Sequence, residues 1–188
     1  MLPPVAMDSF VLNGCSAGGL ATFTWLDYFG KAIKAFNPKV KFFGLPDSGF
    51  FVNYDNVNTK DKDYFLKMQV LSTFVNKDYP YPQRACVEAN PTTPAVCFLA
   101  ETMLHYIESP VFISESLYDS WSVPNILGIS CIADGTMSKC SEADKQKINL
   151  FRGDTATLLK TATSAKNNRG LWAPACIFHC YSNFGDDE

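Results

Sequence analysis

The sequence has no apolar run approaching the roughly 18 to 20 residues that a membrane-crossing helix needs. It also has no Lys/Arg block of the kind that tracks a phosphate backbone. Its 16 basic and 19 acidic residues are scattered, for a formal charge of −3. A membrane span and a nucleic-acid partner are therefore both set aside. The opening "MLPPVAMDSFVLNG" lacks the basic start, continuous apolar stretch and small-residue cleavage site of an export signal. There is no Asn-x-Ser/Thr sequon, no Cys-x-x-Cys spacing, no internal repeat and no low-complexity linker. Histidine is nearly absent: His105 and His179 are the only two in 188 residues. Any chemistry that needs an imidazole must use one of them. What is plentiful is core material, with 47% hydrophobic and 14% aromatic residues. Length and composition together suggest one domain around one substantial core.

Cysteine is abundant, at seven residues, and the odd number leaves at least one thiol without a partner in the chain. Cys86/Cys97 and Cys131/Cys140 are local pairs closing Pro-, Asn- and Gly-containing segments, which favours disulfides over metal binding. Cys176 and Cys180 flank a histidine in "CIFHC", and a zinc site is the competing reading there. Structural zinc ligands usually come as separated short-spaced pairs, so the expectation is disulfide chemistry and no metal. Disulfides imply an oxidising compartment, which stands against the missing export signal.

Along the chain, Ser9 to Asn13 reads as a strand and Ala17 to Phe36 as a helix, with a sharp turn between them. Residues 39–45, "KVKFFGL", form a second strand candidate. A helix-like stretch from Ala95 to Glu108 leads into a third, "SPVFISES" from Ser109. Ser141-Glu142-Ala143-Asp144 resembles a capping box opening a helix to about Lys166, with Gly153 its weak point. The fourth strand candidate, "GLWAPACIF", begins at Gly170. Residues 52–64 and 76–94 are polar and turn-rich and read as loops. Strands separated by helices imply an α/β fold with a mostly parallel sheet. Ligands gather beyond the carboxyl ends of such strands, and those ends carry Ser16, Asp47, Asp119 and His179.

Gly14-Cys15-Ser16-Ala17-Gly18 between a strand and a helix reads as a nucleophile elbow, in which Gly14 and Gly18 leave room for a strained serine. The N–H of Ala17, at the helix start, would face the oxyanion of a tetrahedral intermediate. The competing reading is a tight turn with no chemistry. A serine hydroxyl needs a base to take its proton. His179 follows the fourth strand and fits that role, whereas His105 falls within a helix and reads as structural or exposed. The base needs an acid to hold its tautomer, and Asp119, just past the third strand, fits best. Asp47 also follows a strand, as a possible site-lining residue, but Pro46 and Gly49 make a turn role equally good. Asp134 reads as an Asp-Gly turn residue.

"GCSAGGLA" at 14–21, "DSGFF" at 47–51, "SPVFISESLYDSW" at 109–121 and "ACIFHC" at 175–180 resemble successive motifs of the pectin acetylesterase and Notum family. The resemblance implies an α/β-hydrolase fold and serine-dependent ester hydrolysis without a cofactor. In it Ser16 matches the nucleophile, Asp119 the acid, His179 the base and Ala17 the oxyanion donor. It also implies an acetylated polysaccharide such as pectin as substrate, with a lipid ester or acylated protein as the alternative, and a secreted or secretory-lumen parent protein. Family members carry well over a hundred residues before the nucleophile, and a helix after the histidine. Residues 1–188 are accordingly expected to be a single partial domain, truncated at the N-terminus, shortened at the C-terminus and weak or inactive alone. A fragment or inactive paralogue that only binds glycan or a partner chain is the reading from another class.

Overall fold

A computed structural model of the chain describes residues 7–75 and 83–181. Four strands, β1 (Ser9–Cys15), β2 (Lys41–Asp47), β3 (Val111–Ser114) and β4 (Arg169–Trp172), form one parallel sheet in the order β1-β2-β3-β4. Parallel neighbours cannot be joined by tight hairpins, so helical segments carry the crossovers. The first is α1 (Ala17–Phe36), which packs on β1 and β2. Its buried residues Gly19, Thr22, Phe23, Leu26 and Gly30 recur at helical spacing and turn one stripe to the sheet. The last is α5 (Glu142–Ser164), whose inward residues Ile148, Phe151, Thr155, Leu159 and Ala162 repeat that pattern. The core between these layers includes Phe23, Leu26, Met103, Ile107, Ile113 and Leu159, all fully buried.

The four expected strands and two long helices are present, but β4 stops at Trp172, six residues short of the expected run to Phe178, and the other boundaries move by a few residues. Ser141 caps α5, its Oγ accepting the Asp144 N–H at 3.1 Å and donating to the Asp144 carboxylate at 2.7 Å. The expected weak point does not interrupt α5, which runs unbroken through Gly153. Propagation from the turns on either side outweighs the local cost of one glycine.

Between β2 and β3 the structure departs from the expectations. Residues 95–108 do not form one helix. A 3₁₀ turn (Pro94–Phe98) ends at an extended Leu99, and only then comes the short α4 (Ala100–Met103). The burial pattern explains the break: Ala95, Cys97 and Leu99 are buried at alternate positions, while Ala100, Met103, Leu104 and Ile107 follow helical spacing. A single helix could not bury both sets. The loop reading of 52–64 holds up to Lys62, where α2 (Asp63–Val70) begins and runs into a π-turn (Leu71–Val75). Of the loop expected at 76–94, residues 76–82 lie outside the described residues, and α3 (Arg84–Ala89) occupies its middle. Two restraints fix α3. Gln83 is buried and donates from Nε2 to the Phe23 and Thr24 carbonyls of α1, and Cys86 is joined to Cys97. Cys131 and Cys140 are also joined. Both expected local disulfides are thus formed.

Candidate active site

Strand β1 delivers Ser16 to α1 through a turn that ordinary residues avoid. Ser16 has φ 59° and ψ −120°, a backbone conformation that costs a non-glycine residue about 1 to 3 kcal/mol and persists only where its surroundings enforce it. The Ser16 N–H donates to the Asp47 carbonyl at 2.9 Å, tying the turn to the end of β2. Gly14 is required by space: a Cβ there would lie 2.4 Å from the Gly18 carbonyl oxygen. Gly18 is not, because a Cβ at that position meets nothing within 4 Å. The steric demand expected of Gly18 belongs instead to Gly19. A Cβ on Gly19 would sit 2.5 Å from the Asp47 carbonyl oxygen, and one on Gly49 2.4 Å from the Gly19 carbonyl carbon. The paired glycines let α1 start hard against the chain leaving β2. Ala17 is the first residue of α1, so its N–H has no intrahelical acceptor.

Asp119 and His179 meet beyond the ends of β3 and β4. The Asp119 carboxylate is buried, and its Oδ1 accepts the Trp121 N–H at 3.1 Å and the Ser122 N–H at 2.6 Å. Its Oδ2 lies 2.6 Å from His179 Nδ1. One oxygen is held by the backbone and the other fixes the imidazole. His179 Nε2 is buried and makes no hydrogen bond among the described residues. The Trp121 ring stacks on His179, with centroids 6.3 Å apart at 25°. The segment carrying His179 has no sheet ladder of its own. It is docked by hydrogen bonds from the Leu117 N–H to the Pro174 carbonyl and from the Ser120 N–H to the Phe178 carbonyl, each at 3.0 Å. The Ser116 hydroxyl donates to the Cys176 carbonyl as well.

Asp47 is no turn residue. It is the last residue of β2, is buried, and accepts hydrogen bonds from Ser48 Oγ and Ser114 Oγ, each at 3.2 Å. His105 is exposed. Asp134 forms the expected turn, accepting the Thr136 N–H at 3.0 Å and pairing with Lys139 at 3.1 Å.

Three features escape a reading of the sequence. Glu115 is buried, with Oε2 accepting the Phe50 N–H at 2.8 Å. Loss of water around it, then the nearby Asp119 charge, raise its carboxyl well above the ordinary glutamate range. Ser48, at φ 49°, accepts the Cys180 N–H through its Oγ at 2.9 Å. Cys15 and Cys180 form a third disulfide across 165 residues, leaving Cys176 as the free and exposed cysteine. The zinc alternative for "CIFHC" therefore loses Cys180 to a covalent partner. Ser16, Ala17, Leu20, Phe51 and Trp121 line one end of a cavity of about 1180 Å³ that continues along α1 past Trp25 and Tyr28. No helix among the described residues is long and apolar enough to cross a membrane.

A parallel sheet whose first strand ends in a strained serine before a helix is the frame of the α/β-hydrolase fold, and solved structures match it. The chain superimposes on a crystal structure of the Wnt deacylase Notum from Drosophila with a TM-score of 0.72, covering 92% of this chain and 45% of that one at 18% identity. The pectinacetylesterase family model matches residues 6–187, and the chain belongs to that family. It is 28% identical to pectin acetylesterase 5 of Arabidopsis thaliana over 179 residues, 90% of this chain and 40% of that protein. To pectin acetylesterase 7 of the same plant it is 27% identical over 180 residues, 90% of this chain and 44% of that protein. The chain thus spans less than half the length of these curated relatives.

Proposed function

We propose that this chain is the catalytic part of a serine carboxylesterase, with Ser16 as nucleophile, His179 as base and Asp119 as the acid that orients it. The observation that carries the reading is the Asp119–His179 pair: Oδ2 at 2.6 Å from Nδ1 fixes the tautomer that leaves Nε2 bare, and Nε2 is buried with no other partner among the described residues. Ser16 Oγ attacks the ester carbonyl as Nε2 takes its proton. The Ala17 N–H steadies the oxyanion, His179 returns the proton to the leaving alcohol, and water then hydrolyses the acyl-enzyme by the same base. Membership of the pectinacetylesterase family supports an acetylated cell-wall-type polysaccharide as the substrate. Three disulfides support a secreted or secretory-lumen location.

One observation favours the longer-acyl alternative. The cavity beside Ser16 is large, and Leu20, Phe51, Tyr64, Met68 and Trp121 give it an apolar lining. Turnover of p-nitrophenyl esters from C2 to C16 by the intact protein decides between the two, with a sharp fall above C2 expected for an acetylesterase. In the same assay Ser16→Ala abolishes hydrolysis. Turnover unchanged in that variant would remove the mechanism.

A further inference from the structure

The nucleophile and the base of the proposed site each have a cysteine as immediate neighbour, Cys15 before Ser16 and Cys180 after His179, and the structure joins those two cysteines. We infer that the Cys15–Cys180 disulfide is a positioning element of the active site: it holds His179 against the Ser16 turn, and opening it uncouples base from nucleophile while the fold remains. The inference rests on the esterase reading above.

Three observations carry it. First, the two neighbours reach the site by different means. Cys15 is the last residue of β1, in register with Asp47 of β2, so Ser16 is fixed by the sheet. His179 lies seven residues beyond the end of β4, in a segment without regular secondary structure. Nothing in a strand ladder sets its distance from Ser16. The disulfide does so directly, with the Cys15 and Cys180 Cα atoms 5.4 Å apart. Adding one peptide on each side keeps the Ser16 and His179 Cα atoms within about 13 Å of each other.

Second, Cys180 is held in a conformation its own sequence would not choose. Its φ is 70°, in the left-handed region, and its N–H donates to Ser48 Oγ at 2.9 Å. Ser48 itself follows β2 at φ 49° and donates its N–H to the Ser114 carbonyl at 2.9 Å. The covalent bond and this hydrogen bond together attach the histidine segment to the ends of β1 and β2. Such enforced backbone is the signature of a geometry kept for a site.

Third, the disulfide packs on the imidazole. The Cys15 and Cys180 sulfurs and a His179 ring nitrogen all lie within 4.8 Å of one another. Asp119 fixes the ring through Nδ1, while the cystine limits where the whole ring can go relative to β1. The disulfides Cys86–Cys97 and Cys131–Cys140 close short loops, across 11 and 9 residues, and neither includes a neighbour of Ser16, Asp119 or His179.

The test compares Cys15→Ser/Cys180→Ser with Cys86→Ser/Cys97→Ser in the intact protein, with p-nitrophenyl acetate as substrate and circular dichroism as the check on folding. A base displaced by about 1 Å can cost on the order of 100-fold. The Cys15/Cys180 variant is therefore expected to lose about 10- to 100-fold in kcat with KM nearly unchanged. The Cys86/Cys97 variant is expected to lose thermal stability but keep its kcat below its melting transition. A folded Cys15/Cys180 variant with wild-type kcat overturns the inference.

If that variant does not fold, the folded wild-type protein is treated with dithiothreitol, whose oxidation to its cyclic disulfide supplies two electrons and two protons to give two thiols. Peptide mapping locates the opened bond. Loss of kcat that follows opening of Cys15–Cys180 and returns on reoxidation supports the inference, and activity that survives the opening overturns it. Ser16→Ala in the same assay separates the two failures. Residual hydrolysis in Ser16→Ala removes the esterase reading and this inference with it. An inactive Ser16→Ala beside a fully active Cys15/Cys180 variant removes the inference alone.

Discussion

Replacing Asp119 with asparagine keeps the shape of the residue and reverses the chemistry at one atom. Asp119 Oδ1 already receives two backbone N–H groups, from Trp121 at 3.1 Å and Ser122 at 2.6 Å. In Asp119→Asn the amide oxygen must stay on those donors, because turning the NH₂ toward them would set donor against donor at two positions, the one at Ser122 buried. The NH₂ therefore faces His179 Nδ1, where the carboxylate Oδ2 now stands at 2.6 Å. A neutral imidazole can accept that bond only by carrying its proton on Nε2, the atom that takes the Ser16 proton in the proposed mechanism. The same replacement in a serine-protease triad lowers turnover about 10⁴-fold, or roughly 5 kcal/mol of barrier. Asp119→Asn is therefore expected to lose about 10³- to 10⁴-fold in kcat on p-nitrophenyl acetate, with KM within a few-fold and a melting temperature near wild type. Steady-state kinetics and a thermal melt on the intact protein check both parts. A loss below tenfold would mean that Asp119 does not set the tautomer of the working base, and the reasoning would fail.

Three other outcomes follow from the packing. Gly14→Ala is expected to destabilise the protein by about 1 to 3 kcal/mol through overpacking against Gly18, whereas Gly18→Ala, with open space at its Cβ, is expected to fold as well as wild type; urea unfolding of the pair measures both. Gly153→Ala, inside α5 where an added Cβ meets nothing within 4 Å, is expected to stabilise by about 0.5 to 1 kcal/mol, and an unchanged or lowered melting temperature would contradict this. Glu115 holds its proton more tightly folded than unfolded, so its contribution is fully present below the ordinary glutamate value of 4.5 and is lost as pH rises from there toward the raised folded value. Glu115→Gln cannot ionise. Unfolding free energies measured across that range should show the variant gaining on wild type as pH rises, and parallel pH profiles would refute the assignment.

What the sequence revealed depended on distance along the chain. The four strands and the two long helices were legible because each is one uninterrupted pattern: an apolar run, or the 3.6-residue spacing that buries Phe23, Leu26 and Gly30 of α1. The stretch from Pro94 to Met103 was not, since its burial follows two periods in succession, with the extended Leu99 at the change. The local disulfides were visible as short loops. Cys15–Cys180 was not, because 165 residues separate the pair and only the sheet brings its ends together. The bond between Asp119 and His179 could be anticipated because so few residues compete, with histidine limited to two positions. Glu115, inside "FISES", looks like an ordinary surface carboxylate and is recognisable as buried only once Phe50 is seen to donate to it. Gly18 and Gly19 are adjacent, and only the path of β2 against α1 shows which of them the fold needs.

In the proposed mechanism Ser16 is a nucleophile activated by His179. That activation is tested most directly by treating the intact, folded protein with a fluorophosphonate probe and locating the adduct by peptide mapping, in wild type and in His179→Ala. A single adduct on Ser16 is expected, formed about 10²- to 10⁴-fold more slowly without the imidazole. No adduct on Ser16, or labelling at the same rate in His179→Ala, would contradict that mechanism and leave the chain as a binding module on a hydrolase fold.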